Sequence, residues 1–453
     1  MLYFSDTFHL LLAIFALALA GVLQFREFRP DLLSGLVCGL LFFVGLPLLQ
    51  VLVTGDIPVS DLPLEPITRG RDGELMLLFA CFGVGGIVLT STVRRKRRSP
   101  SSATNAPDEY AQFRIIVTLY FAFTLLFFAL SGKWRGGHWY SSGGDALASN
   151  PAIVLIANFA NVFRVVLPFI AAYQRRRKLI SVKSFLVIVA FYVSCELVLV
   201  NNRIGVLFAA IAVFYAFPRK RLQLATLGLV SLPMVAFLNH AYPIARGMLW
   251  TNGASLSSAA DAISTAVETR RDFSGNTNSP TEIASSLFES SNLNVVKYVF
   301  DTFEQDDFRA GETVFLKSLL FPVPKSIWPG KPDGFGGQVG REISGLEHLT
   351  LNCTSVGEFY GNFGLFSILI FPWTFAAIAF AIRRVFSSDL QRHCLFMCGF
   401  ASVRFEFSFV VISIFCLLIV SLAASFYLNT AGGHVGIKAF RRAHRFRATQ
   451  VPE

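Results

Sequence analysis

Residues 32–53 read LLSGLVCGLLFFVGLPLLQVLV, a run without one side chain charged at neutral pH. Coiled at 1.5 Å per residue, it is long enough to cross the roughly 30 Å hydrocarbon core of a bilayer as a helix. Similar stretches lie near His9–Phe25, Glu74–Val93, Phe113–Ser131, Pro151–Ala172, Ser184–Val200, Ile204–Phe217, Leu222–Leu238, Gly364–Ile382, Leu390–Val403 and Phe407–Leu428, making eleven. The seventh and tenth are short for a span. Of the 453 residues, 53% are hydrophobic and only 15% charged, against roughly 25% charged in soluble domains. The chain therefore reads as an all-α polytopic membrane protein with about eleven transmembrane helices, which excludes a cytosolic enzyme.

Charge placement orients these helices. Alternate connectors and the C-terminal tail hold 24 Lys and Arg, among them Arg94–Arg98, Arg175–Lys178, Arg219–Arg221 and Arg441–Arg442, whereas the short connectors opposite hold six. Basic connectors stay cytoplasmic, so the N-terminus is expected outside and the C-terminus inside, with the short tenth helix retained to keep the tail inside. The net charge of +11 is thereby explained as topology, and no basic, aromatic-interleaved surface remains for nucleic acid. The N-terminus lacks the basic region and cleavage site of a signal peptide. Residues 1–239 are expected to carry helices one to eight, 240–357 a large periplasmic or extracellular loop, and 358–453 helices nine to eleven and a basic tail. Ser99–Glu109 reads as a polar cytoplasmic loop.

Six of seven cysteines fall in apolar segments, leaving Cys353 alone in the large loop and without a disulfide partner. Cys394 and Cys398 have helical spacing but no accompanying ligands, so no metal site is expected. GxxxxGK[ST], GxGxxG and HExxH are all absent, which argues against nucleotide-dependent chemistry and for no cofactor.

Two stretches of the large loop stand out. Leu319–Gly340, LLFPVPKSIWPGKPDGFGGQVG, concentrates Pro322, Pro324, Pro329 and Pro332 with five glycines. Pro fixes φ and Gly admits close backbone approach, so this reads as a rigid non-regular loop. Lys331 there suits a pyrophosphate and Trp328 a sugar ring; the bland alternative is an aromatic-belt anchor with a snorkelling lysine beside it. Ser355–Gly364, SVGEFYGNFG, spaces Glu358, Tyr360 and Asn362 two apart, on one side if the segment is extended. Glu358 at the lip of a cavity could serve as general base or simply pair with a nearby cation. Two other features involve charges at the membrane. Arg164 interrupts the fifth helix about 20 Å from Pro151, nearer the cytoplasm by that count, where it would snorkel inward or pair with Asn161; Arg404 and Glu406 at the outer edge read as an ion pair or as part of the cavity.

The order of a WPGKP loop followed by S-x-x-E-x-Y-x-N-F-G opening a helix resembles the bacterial oligosaccharide repeat-unit polymerases of the O-antigen polymerase (Wzy) type, as does the eleven-helix plan. Asn201–Leu207, NNRIGVL, is similar to the family's short Arg-containing outer turn. The resemblance implies a glycosyltransferase in the bacterial inner membrane, working at the periplasmic face. It would move an undecaprenyl-pyrophosphate-linked glycan onto a sugar hydroxyl of another lipid-linked repeat unit, making O-antigen, capsular or exopolysaccharide. It implies Arg203 and Arg309 on pyrophosphate with Lys331 beside them, Glu358 or His348 as base, and Tyr360 and Asn362 orienting sugar hydroxyls. The bilayer and the lipid-linked oligosaccharide are the expected partners, with a chain-length regulator as the candidate protein partner. Three readings compete: an O-antigen ligase, a lipid-linked oligosaccharide flippase and a membrane scaffold. A flippase would be expected to show two repeated halves, which the hydropathy pattern lacks.

Overall fold

The computed structural model describes residues 2–26, 30–59, 63–94, 106–131, 150–200, 204–217, 290–303, 307–321, 327–345, 350–383, 385–386 and 388–430, with isolated positions at 248, 257, 260–261, 264–265 and 323. Among these residues the chain is helical, and the one β feature is an isolated antiparallel bridge between Asp56 and Thr68. In chain order the helices are α1 (Leu2–Arg26), α2 (Leu32–Thr54), α3 (Gly73–Arg94), α4 (Ala106–Ser131), α5 (Pro151–Arg176), α6 (Val182–Ser194 continued by a π segment, Cys195–Val200) and α7 (Ile204–Ala216). Then come α8 (Ser291–Thr302), α9 (a π segment, Glu312–Leu316, with Lys317–Leu319), α10 (Phe335–Ser344), α11 (Thr354–Phe363), α12 (Ser367–Ile382), α13 (Asp389–Ser402) and α14 (Ser408–Thr430).

Helix falls on each expected span except Leu222–Leu238, which lies outside the described residues. Among the described residues, six helices or helix pairs are long and apolar enough to cross a membrane: Asp6–Leu23, Leu32–Thr54, Glu109–Ser131, Leu155–Arg176, Thr354–Ile382 and Ser408–Tyr427. This is a polytopic membrane architecture. Helix starts are set by short polar caps: Asp31 accepts from Ser34 N–H (2.8 Å), Ser181 from Ser184 N–H (3.0 Å), and Ser388 with Gln391 forms a reciprocal capping box. The π segment Leu41–Gly45 lies just before Pro47, whose ring crowds the carbonyl four residues back and removes a donor, so the helix widens there.

The helices sort by what they face. On α14, Phe415, Ile419, Leu422 and Phe426 form an exposed apolar stripe, and on α12 Trp373 and Phe380 are 72% and 75% exposed. Outward apolar stripes on a bundle suit lipid as solvent. α13 is the opposite case: from Leu390 to Ser402, every residue but Arg392 is buried. It packs on α2 through glycines at the crossing, where a Cβ at Gly35 would stand 1.9 Å from Phe396 O and one at Gly399 2.0 Å from Leu32 O. The two backbones touch, so the short tenth span is an inner helix and does not need the length of a lipid-facing one.

Two local expectations are corrected. Ser99–Glu109 is not loop throughout, because α4 begins at Ala106. Its Glu109 is buried, paired with Arg177 at 2.6 Å, and accepts from Leu390 N–H at 3.4 Å. The Pro/Gly-rich stretch is irregular only in its first half. Beyond Pro332 it turns into α10, whose buried Phe335 and Val339 supply the apolar face that the glycines obscure.

Candidate functional site

Three parts of the chain converge where α10, α11 and the turn between α13 and α14 meet. Phe335, at the start of α10, lies against Gly361 of α11 so closely that a Cβ there would fall 2.1 Å from its ring. Arg309 N–H donates to Gly361 O (3.1 Å), Leu351 N–H to Gly336 O (3.0 Å) and Ser355 N–H to Val403 O (3.0 Å). The WPGKPDGFGG and SVGEFYGNFG segments are thus one packed unit.

Glu358 is at its centre and is 0% exposed. Its Oε2 accepts from Phe407 N–H at 2.6 Å, while Oε1 has no hydrogen-bond partner. The Thr313 hydroxyl and the charges of Glu406 and Lys317 are its polar neighbours. Lys317 pairs with Glu406, whose other oxygen accepts from Gly336 N–H at 3.0 Å. A Cβ at Gly334 would come within 2.5 Å of Glu406 Oε1 and 2.8 Å of Lys317 Nζ, so any other residue there would displace the tips of this pair. The glycines therefore let the loop wrap an internal ion pair closely.

The extended reading of Glu358, Tyr360 and Asn362 is overturned, since α11 is helical and residues two apart point to different sides. Glu358 and Asn362, four apart, share a face, and Tyr360 turns away into the rings of Phe300 (5.1 Å) and Phe308 (5.9 Å). Asn362 does not present its amide to a ligand: Nδ2 donates to Thr313 Oγ1 (2.7 Å) and Glu358 O (2.7 Å), and Oδ1 accepts from Thr313 N–H (3.3 Å). Lys331 Nζ donates to the carbonyls of Phe321 (3.0 Å) and Val323 (2.8 Å), pinning the irregular half of the loop. Trp328 is half-buried in a turn closed by Lys331 N–H (3.0 Å), next to Ile327 at 75% exposure, which suits an interfacial anchor. Arg309 pairs with Glu342 at 2.8 Å and lies 5.6 Å over the Phe303 ring. Arg203 and His348 lie outside the described residues. The expected Arg404–Glu406 pair gives way to Lys317–Glu406, with Arg404 5.0 Å over Phe405.

A second polar cluster is enclosed by α4, α5 and α6. Arg164 does not pair with Asn161. Its Nε donates to Glu196 Oε1 at 3.0 Å and lies 3.0 Å from Oε2, and Tyr120 Oη donates to the same Oε1 at 2.7 Å. Tyr192 Oη donates to Arg164 O at 3.0 Å. A Cβ at Gly205, at the start of α7, would sit 2.7 Å from Glu196 Oε2, so that glycine makes room for the carboxylate. Arg164 is near the middle of α5, about 18 Å from Arg176 and about 20 Å from Pro151 along the helix.

Lys317 and Glu196 went unremarked in the sequence. A usable signal existed for both: each is a lone charge within an apolar run, TVFLKSLLF and VSCELVLV, and such charges are costly unless paired or functional. Elsewhere on the same side of the bundle, Lys297 of α8 binds Asp72 (2.5 Å) and Asp301 (2.8 Å), and Asn294 accepts from Ile67 N–H (3.1 Å), docking α8 on the connector between α2 and α3. No group of three or more His, Cys, Asp or Glu suited to a metal occurs among the described residues. Comparison of the chain with models of known families, with curated proteins and with solved structures finds no match.

Proposed function

We propose that this chain is a membrane glycosyltransferase that polymerises undecaprenyl-pyrophosphate-linked repeat units at the outer face of the bacterial inner membrane, with eleven spans and the 240–357 loop outside. The observation that carries the reading is the interlocking of the two motif segments around Glu358, Lys317 and Glu406. Transfer between two lipid-linked glycans asks for a base near an acceptor hydroxyl, cations near a pyrophosphate and a site beside lipid. Glu358 has one oxygen without a partner and a cation close by; Arg309 and Arg341 lie half-buried on the same unit, each paired with a single carboxylate. Because Glu358 is sealed as it stands, it suits a positioning role at least as well as that of a base, and the base then falls to His348.

The test is the length distribution of surface glycan in a deletion strain complemented at matched membrane abundance. Wild type is expected to restore a ladder where the deletion carries single repeats. Lipid-linked polymer accumulating in the deletion would instead indicate a ligase, and an unchanged ladder would overturn the reading. Glu358→Gln keeps an acceptor for Phe407 N–H but cannot take a proton. Loss with Gln marks a base; rescue by Gln with loss by Ala marks a positioning residue.

A further inference from the structure

The Arg164–Glu196 pair is an odd way to bury a salt bridge. An arginine serving only to neutralise a carboxylate in a dry interior gains most from two parallel bonds across its fork. Here the single hydrogen bond runs from Nε to Oε1 at 3.0 Å, and Oε2 lies 3.0 Å from the same Nε without accepting a hydrogen bond. Nη1 and Nη2 hydrogen-bond to no described residue. They are also not among the sealed, partnerless polar atoms, although Glu196 Oε2 is, and the Arg164 side chain keeps 9% of its surface exposed. The exposed part of Arg164 is thus its fork.

The surroundings fix the guanidinium rather than consume it. Tyr120 orients Glu196, Glu196 holds Nε, and Tyr192 ties down the Arg164 carbonyl. A guanidinium whose Nε is clamped and whose two terminal amines are open presents four N–H groups in a plane, a geometry that matches two oxygens of a phosphate or pyrophosphate. Arg164 lies near the middle of α5, about 18 Å from Arg176 and about 20 Å from Pro151, well inside the helical layer. We infer that Arg164 is an anion-binding residue within the helical bundle, taking a phosphate oxyanion of a polyprenyl-linked donor, with Glu196 and Tyr120 as its positioning residues. This rests on the glycosyltransferase reading for the identity of the lipid but not for the anion chemistry.

The test is binding to the purified full-length chain in lipid nanodiscs, with undecaprenyl pyrophosphate, inorganic pyrophosphate and phosphatidylglycerol as separate probes. Arg164→Lys keeps the charge beside Glu196 and loses the fork. The double variant Arg164→Met/Glu196→Met removes both charges together and leaves neither unpaired. Undecaprenyl pyrophosphate affinity is expected to fall roughly tenfold or more in both, with thermal unfolding of Arg164→Lys near that of wild type. Inorganic pyrophosphate following the same trend would assign the site to the phosphate alone, as inferred. Wild-type affinity in both variants would overturn the inference and leave the pair structural, as would an arginine dependence seen only with phosphatidylglycerol. Since binding is read without glycan synthesis, an unchanged ladder in the deletion strain would remove the polymerase reading and leave this result standing.

Discussion

Glu196 and Glu358 are both 0% exposed, yet the protein deals with the two carboxylates by different means. Glu196 has a guanidinium against it and a tyrosine hydroxyl on the same oxygen, inside the helical layer. Each carboxylate has one oxygen without a hydrogen bond; Glu358 has only a backbone amide on its other oxygen, and its neighbouring cation, Lys317, is already paired with Glu406. A buried charge is tolerated where a partner of opposite sign is fixed in place, and the residual cost falls on whichever group lacks one. The contrast separates a region built to hold a charge still from one whose charges are shared among three groups and a glycine-rich loop.

The largest expected effect breaks the first arrangement. Arg164→Met leaves Glu196 buried without its cation and should cost about 3–5 kcal/mol, while adding Glu196→Met should restore most of it; thermal unfolding in detergent reads both. Next comes the helix crossing that encloses the bundle. Gly35→Ala drives a methyl into the Phe396 carbonyl, which overpacking places at about 1–3 kcal/mol, seen as lost folded yield. In the cluster around α11, Glu358→Ala orphans Phe407 N–H at about 1–3 kcal/mol, whereas Glu358→Gln keeps an acceptor and should cost less. If the two substitutions unfold alike, Glu358 is not held by that amide and the comparison fails.

The docking of α8 sharpens the contrast through pH. Burial pushes the Lys297 ammonium down, but hydrogen bonds to Asp301 and Asp72 outweigh it and hold the group above the ordinary lysine value. A raised folded pKa stabilises fully below the unfolded value and is lost as pH climbs through the folded one. Protection of α8 amides, corrected for intrinsic exchange, should therefore persist through neutral pH and weaken only above about 10.4. The smallest effect is expected at the rim, where the half-exposed Arg309–Glu342 pair should contribute about 0.2–1 kcal/mol. Arg309→Ala would then leave unfolding nearly unchanged, so that any loss of glycan ladder reports on ligand and not on fold.

Helices were the legible part, because apolar runs and caps such as Asp31 and Ser388 are local properties. Site geometry was less so. Glu358 and Asn362 could be picked out as unusual residues, but whether their segment was helix or strand decided which neighbours they shared, and ten residues rich in Gly and aromatics do not display a period. Lys317 and Glu406 are 89 positions apart, and Arg164 and Glu196 are 32 apart; such pairings follow from packing, which a single chain does not spell out. Treating every charge in an apolar run alike would have marked Glu196 as well as Arg164, but not their pairing.

The glycine crossing between α2 and α13 has a consequence for how the protein is made. α13 has Asp389, Arg392 and His393 within 14 residues and is not among the helices apolar enough to span on their own, so partition into lipid will not hold it as it leaves the ribosome. It must wait, with α14 as the apolar anchor behind it, until the groove on α2, synthesised more than three hundred residues earlier, is there to receive it. Insertion of α13 is therefore completed only after α14 has been made, and removal of α14 should strand α13 in the aqueous phase with the earlier helices already inserted.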